Sequence, residues 1–234
     1  MATSRENSTA SPSAVRSGPN CSPAKGVRDR LLDAAEELFS ERGFEGTSVR
    51  DLAGAAGCNI ASVNYYFGGK EKLYEEVWRR HLVSLRDSRV ASIDQVMAES
   101  DGKPSLEELL RSFACAFIGP LVDQHGGRRL IRLMARELVD PHLSSDMFGQ
   151  EVIRPTLTVM QHALKEVCPG LDESKVPLVV FSLVGQLIHT IRIKPILKWT
   201  DDEALAMYDP AKLIDHIVAF SAAGIRAYAE GKIE

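Results

Sequence analysis

The stretch Gly57–Tyr74, "GCNIASVNYYFGGKEKLY", decides how this 234-residue chain is read. Asn59, Asn64, Tyr65 and Tyr66 crowd a segment about two turns long, Gly68 and Gly69 end it, and a charged helix follows from Lys70. Advancing about 100° per residue puts Val63 and Phe67 on one side of the segment and Ala61, Ser62 and Tyr65 on the other. Asn59, Ile60, Asn64 and Tyr66 flank the two sides. The first side is a packing face. The second is small at its centre and ringed by hydrogen-bonding tips, which is not how a core helix is dressed.

The segments upstream have helical period too. Leu31, Leu32, Ala35, Leu38 and Phe39 form an i, i+3/i+4, i+7 stripe over 26–42, with Asp33, Glu36, Glu37 and Glu41 outside it. Gly43 stands where a helix C-terminus needs a residue free of Cβ. Ser48 with Asp51 three residues later predicts a capping box, with Thr47 just before it, and this short helix ends at Gly57. A supporting helix, a short helix, a tight turn and a second short helix make helix-turn-helix spacing, whose second helix enters a DNA major groove. The outer face suits that role. Small residues permit close approach, Asn pairs with adenine, and Ser and Tyr hydroxyls reach bases or phosphates. Lys70 opens a helix whose free N–H groups and dipole favour an anion. Arg50 suits either a phosphate or a neighbouring acid, and Tyr66 suits either DNA or packing.

Downstream, no alternating stretch competes with the helical pattern. A long helix is predicted over 70–98, then helices at about 105–123, 127–139, 146–168, 174–197 and 210–230. Polar breaks separate them, including "ESDGKPS" (99–105) and "CPGLDES" (168–174). Pro120, Pro155 and Pro195 are expected to kink or shorten their helices. The fold class is all-α: a three-helix head, then a helical body.

Bulk properties set limits. Net charge is −4, with 13 basic and 12 acidic side chains in residues 1–90 and 15 and 20 in the remainder, so DNA contact has to come from a local patch rather than from overall charge. Cys21, Cys58, Cys115 and Cys168 form no CxxC pair, and the six histidines have no metal-ligand spacing, so no metal site and a reduced, cytoplasmic protein are expected. The Ser/Pro-rich residues 1–24 read as a disordered tail that could add DNA contact through Arg5 and Arg16. The apolar run from Pro177, "PLVVFSLVGQLIHTIRI", is broken by Gln186 and His189 and reads as a core or interface helix, with no membrane span. No phosphate loop, nucleophile elbow or acid–base pair points to an enzyme or a cofactor.

The sequence "RDRLLDAAEELFSERGFEGTSVRDLAGAAGCNIASVNYYFGGKEKLYEEV" resembles the DNA-binding domain of TetR-type transcriptional regulators. "N-I-A-S" followed by "N-Y-Y-F", with "RELVDP" (136–141) and "IRPTL" (153–157), is similar to the CecR-like subgroup. Asn64 stands where Tyr is usual in the wider family. The resemblance implies a helix-turn-helix domain over 25–70 and a ligand-binding and dimerising body over 71–234. It implies a homodimer that represses from a palindromic double-stranded DNA operator until a small-molecule effector binds. It assigns phosphate contact to Thr47 and Ser48, base reading to Ile60, Ala61 and Ser62, and backbone contact to Tyr66 and Lys70. Asn59, Asn64, Tyr65 and Arg50 complete the expected DNA face.

In the body, Phe113, Phe117, Met134, Leu138, Met160 and Leu164 lie on helices that line the pocket in such proteins, although each also suits an ordinary core. Glu137 and His142 are polar candidates for the same pocket, with Arg136 beside them. The helices at 174–197 and 210–230 carry Gly185, Ala222, Ala223 and Gly224 and are the expected dimer contacts. The competing reading is a helical small-molecule carrier or enzyme with a vestigial head; a DNA-binding activator or architectural protein is a third.

Overall fold

A computed structural model describes residues 26–123, 127–144, 146–197 and 209–233. The expected tail 1–24 and most of the break after Leu197 lie outside the described residues. The described residues form helices and turns: α1 Val27–Arg42, α2 Val49–Ala55, α3 Ala61–Phe67, α4 Lys70–Glu99, α5 Leu106–Val122, α6 Gly127–Val139, α7 Arg154–Val167, α8 Val176–Leu197 and α9 Pro210–Ala229. Each falls within a few residues of a predicted helix.

The one departure is the segment predicted as a single helix over 146–168. Its first part, Gly149–Ile153, is a wide π turn, and the regular helix begins at Arg154 with Pro155 in its first turn. Proline has no N–H to give to the carbonyl four residues back, so it sits where none is required. Pro120 lies inside the last turn of α5, where its missing N–H leaves one carbonyl a turn back without its helical partner.

Helices α1, α2 and α3 pack on one another, and α1 and α3 on the first turns of α4. Leu31, Phe39, Leu52, Val63, Phe67, Leu73 and Val77 share this interior. Helix α4, about 45 Å long at 1.5 Å per residue, continues past the head and carries the body. There α5 and α7 lie against it, with α8 and α9 packed on α5. The ends are capped as predicted where capping was read. Ser48 accepts from Asp51 N–H while the Asp51 carboxylate accepts from Ser48 N–H at 3.0 Å, and Ser105 and Glu108 repeat the box on α5. Gly43 has φ 79°, and a Cβ there would stand 3.0 Å from Arg136.

Glu36 is the clearest correction. It was expected on the outer side of α1 and is buried. Its carboxylate meets Arg80 of α4, with Arg129 of α6 at 3.9 Å and His81 at 3.6 Å. The helical period could not place α6 against that side of α1. Burial pushes the His81 pKa down, so His81 stays neutral beside the clamp. Arg80 also holds Asp33 at 2.9 Å.

Trp78, on α4, is fully buried, 6.4 Å from Tyr74 and 5.3 Å from Phe148 between ring centroids. Truncation there removes a large side chain from the seam between α4 and the π turn. Trp78→Ala is expected to destabilise the chain by about 3–5 kcal/mol, measured as a lowered urea midpoint at unchanged slope.

Candidate nucleic-acid interface

Helix α3 starts on an Asn59 side chain, whose Oδ1 accepts from Ala61 N–H at 2.9 Å, and ends on Gly68 in the left-handed region at φ 80°. Val63 and Phe67 are buried. The packing face is therefore the one the helical wheel assigned. On the opposite face Ala61 and Tyr65 stand in solvent and Ser62 is half-buried, and the flanking Ile60, Asn64 and Tyr66 are exposed too. Tyr65 is 83% exposed, and its ring meets Tyr66 edge-on at 4.9 Å. Two aromatic side chains held in the open gain little from burial and leave two phenol groups free to bond. Ser48 and Arg50 are exposed at the start of α2. Hydrogen bonds from Ser48 hold the Asp51 carboxyl below its usual range, so the cap stays ionised at neutral pH.

Three expected contacts stand differently. Thr47 is 1% exposed, and its hydroxyl donates to the Gly43 carbonyl at 2.8 Å, so it fixes the α1–α2 turn and does not face a phosphate. Asn59 is exposed, but its carbonyl oxygen is committed to capping α3. Lys70 is half-buried: its ammonium donates to the Phe44 carbonyl at 3.0 Å and lies 4.0 Å from the Phe44 ring centroid. Its neighbour Lys72 is exposed, with its chain against Gly68. Lys72 was not singled out in the sequence, although its place one turn into α4 marks it as a second cation on this side.

Among the described residues, the eight expected pocket residues are divided between the core, the surface and the junction of head and body. Phe113, Phe117, Met160 and Leu164 are buried in the common core, Phe113 and Phe117 with ring centroids 6.2 Å apart, and Met134 is half-buried against that core. Leu138 is 75% exposed. It points away because α6 turns its other side, Leu130 and Leu133, inward.

Glu137 and His142 instead build the junction between head and body. Glu137 accepts from the Tyr74 hydroxyl at 2.7 Å and from the backbone N–H groups of His142 and Leu143 at 2.8 and 2.7 Å. Burial raises the Tyr74 pKa and Glu137 adds to it, so the phenol remains a neutral donor. The His142 ring stacks 4.3 Å from Phe44, its Nδ1 lies 2.9 Å from the Asp140 carbonyl, and its Nε2 lies 3.4 Å from Glu45. Arg136 donates to the carbonyls of Ser40 and Glu41, in the last turn of α1, at the end where a cation is favoured. A cleft of about 360 Å³ opens here, among Phe44, Tyr74, Arg136 and His142.

Comparison with known proteins agrees with this geometry. Residues 31–77 match the family described as bacterial regulatory proteins, tetR family, and residues 106–225 match the C-terminal domain of the HTH-type transcriptional dual regulator CecR. The probable HTH-type transcriptional regulator YttP of Bacillus subtilis is 33% identical over 112 residues, 48% of this chain and 50% of YttP. The match thus spans about half the length of that relative. IcaR of Staphylococcus aureus, a negative transcriptional regulator of the biofilm operon icaADBC, is 38% identical over 153 residues, 65% of this chain and 73% of IcaR. Among solved structures, the regulator FadR from Bacillus subtilis in complex with stearoyl-CoA superposes with TM-score 0.57 at 19% identity, covering 84% of this chain and 98% of that one. At that identity it speaks for the fold alone.

Two outcomes follow from these contacts. Tyr65→Ala is expected to remove DNA binding, read by fluorescence anisotropy, and to leave the melting temperature within about 1 °C, since an exposed side chain contributes little to stability. Burial opposes the charged form of His142, but the Asp140 carbonyl and the carboxylates around it outweigh burial and raise its pKa above the usual value. The charged contact is therefore complete below the unfolded-state pKa, about 6.5, and is lost as pH rises through the higher folded value. A proton NMR titration of His142 should show the raised pKa, and Glu45→Gln should lower it.

Proposed function

Because the chain belongs to the TetR family of bacterial regulators, with a CecR-type C-terminal domain, we propose that it is a homodimeric repressor. It binds a palindromic operator and is released by a small effector. Residues 25–70 act as the DNA-binding head and 71–234 as the ligand-binding and dimerising body, in a cytoplasmic protein with no catalytic role. The observation that carries this reading is the outer face of α3. Ile60, Ala61, Asn64, Tyr65 and Tyr66 stand in solvent on a helix anchored by Val63 and Phe67.

Two-fold symmetry is supported by the surface of α8 and α9. Leu178, Phe181 (52% exposed), Gly185 and Ile188 form one solvent-facing stripe on α8, and Phe220 (66% exposed) stands out on α9 near exposed Ala223. Apolar residues around small ones permit close helix approach, which is the surface a four-helix dimer contact requires. By length and composition Glu173–Ile191 is apolar enough to cross a membrane, with mean hydropathy 1.4. Its Val179, Val180, Leu183 and Leu187 pack inside the chain, and the outward stripe supports a subunit contact instead. Ala222, expected at the contact, is buried within the chain.

In a dimer reading a palindrome, the two α3 helices enter successive major grooves about 34–36 Å apart. An effector in the body releases DNA when it favours a conformer with different head spacing, a coupling of about 1–3 kcal/mol. Helix α4 and the Arg136–Glu137 junction are the rigid links through which such a shift reaches α3. The FadR complex with stearoyl-CoA supports a helical body of this architecture as able to take a ligand. The CecR domain is named for a dual regulator, which makes activation at some promoters the second reading.

Footprinting on the DNA upstream of the protein's own gene tests the proposal. Protection of a palindrome that weakens steeply with salt is expected, and binding that is indifferent to sequence would refute it. A reporter strain lacking the gene separates repression from activation.

A further inference from the structure

The apolar face of α4 contains a charge. Leu82, Leu85, Arg89 and Ile93 follow at helical spacing, and all four are buried. Arg89 is 9% exposed. Its Nε is sealed from solvent and donates to nothing, and among the described residues its side chain makes no ion pair and no hydrogen bond. Its one specific neighbour is the ring of Phe117 on α5, whose centroid lies 4.2 Å from the guanidinium carbon. Burial pushes the Arg89 pKa down to about 10, so the group is still charged at neutral pH. The arginines nearby on α4 are all matched by acids: Arg79 and Arg86 lie 3.7 and 3.6 Å from Glu151, and Arg80 meets Glu36 and Asp33.

A second unpaired group stands at the same level. Glu151 meets α4 at Arg79 and Arg86, and Val159 and Ala163 of α7 meet it near Ile93 and Met97. The two helices therefore run in the same direction, and interpolation between these contacts puts Thr156 at about the level of Arg89. Thr156 is buried, and its hydroxyl has no partner. One turn beyond Arg89, a cleft of about 380 Å³ opens between α4 and α7, with Ile93, Met97, Val159 and Ala163 as its apolar wall and Asp94, His162, Lys165 and Glu166 as its polar one.

A buried cation that lacks a counter-charge destabilises a fold, and an aromatic face offsets only part of the penalty. A methionine or leucine would suit the stripe better. Groups that cost stability without a structural return are typical of binding sites. Arg89 has only donors to offer, and the Thr156 hydroxyl can supply one more, so the missing partner is an acceptor and carries negative charge.

We propose that Arg89 anchors the effector in the body, and that the effector is an amphiphilic anion. A carboxylate or phosphate takes the Arg89 guanidinium and the Thr156 hydroxyl, and an apolar chain lies along Ile93, Met97 and Val159. This rests on the reading of the body as the effector-binding part of a DNA-binding regulator.

Calorimetry on the full chain, with decanoate, decyl phosphate, 1-decanol and decyltrimethylammonium below their aggregation limits, tests the class. Decanoate or decyl phosphate should bind at least about tenfold more tightly than decanol, and the ammonium compound should not bind. The tighter of the two anions identifies the head group. In Arg89→Met the anion preference should vanish, while Arg89→Lys should keep part of it. Unliganded Arg89→Met should melt no lower than wild type, because an unpaired charge has left the core. Equal binding of decanol and decanoate, no binding of either anion, unchanged decanoate affinity in Arg89→Met, or a melting point lowered by several degrees would each overturn the proposal. Operator binding by unliganded Arg89→Met is read separately and should match wild type. Its absence in wild type would sink the regulator reading while the anion result still stands on its own.

Discussion

The carboxylate of Glu36 holds three helices at one point. It belongs to α1, the first helix of the head, and it meets Arg80 of α4 and Arg129 of α6 while almost out of solvent. A buried carboxylate left alone would be protonated or expelled, so the helices bearing its cations are constrained to stay beside it. This constraint fixes how the head sits on the body. The apolar interior around Phe39, Leu73 and Val77 supplies more of the burial, but greasy contact is tolerant of sliding. A charge that accepts only a cation at short range is not.

A second set of directional contacts makes that joint stiff. Arg136 closes the end of α1, Glu137 gathers Tyr74 and the backbone of the loop after α6, and His142 lies on Phe44. Phe44 belongs to the turn between α1 and α2, and its ring also meets Lys70 at the start of α4. The loop after α6 is thus coupled through one aromatic ring to the turn that sets α2 and to the helix that follows α3. A shift of α6 relative to α4 would disturb all of these contacts together.

Arg89 contrasts with both sets. The junction charges are matched by partners within the chain, and Arg89 is not. Its position on α4, between the head end and the far end of the same helix, puts an unfinished interaction on the element that joins the two parts of the molecule. Stability alone favours a different residue there, which separates this group from the many arginines that pair at the surface.

The head was largely legible in the sequence because its signals are local. The Ser48–Asp51 box, the Gly43 and Gly68 stops and the Val63–Phe67 face depend on residues within a turn or two of each other, and the structure has each of them. The helix pattern of the body was legible for the same reason, apart from the widened turn before Pro155. Local signals do not give the destination of a side chain. Glu36 was assigned outward because its own helix puts acids there, and it is buried; Leu138 was named for the pocket because of its helix in the resembled family, and it is exposed; of the residues expected at DNA, Thr47 and Asn59 also bond local backbone and Lys70 the Phe44 turn. The arginine within the apolar stripe 82–85–89–93 was a visible signal that went unread.

By itself, then, the sequence determined the order, ends and faces of the helices, and the polar character of the α3 surface, because these follow from contacts a few residues apart. Only the tertiary structure decided which faces meet. It brought Arg80 and Arg129 to Glu36, drew Glu137 and His142 into the head–body joint, and left Arg89 without a counter-charge among the described residues. Partnership between charges far apart in the chain depends on how helices pack, and packing is chosen by the whole interior at once.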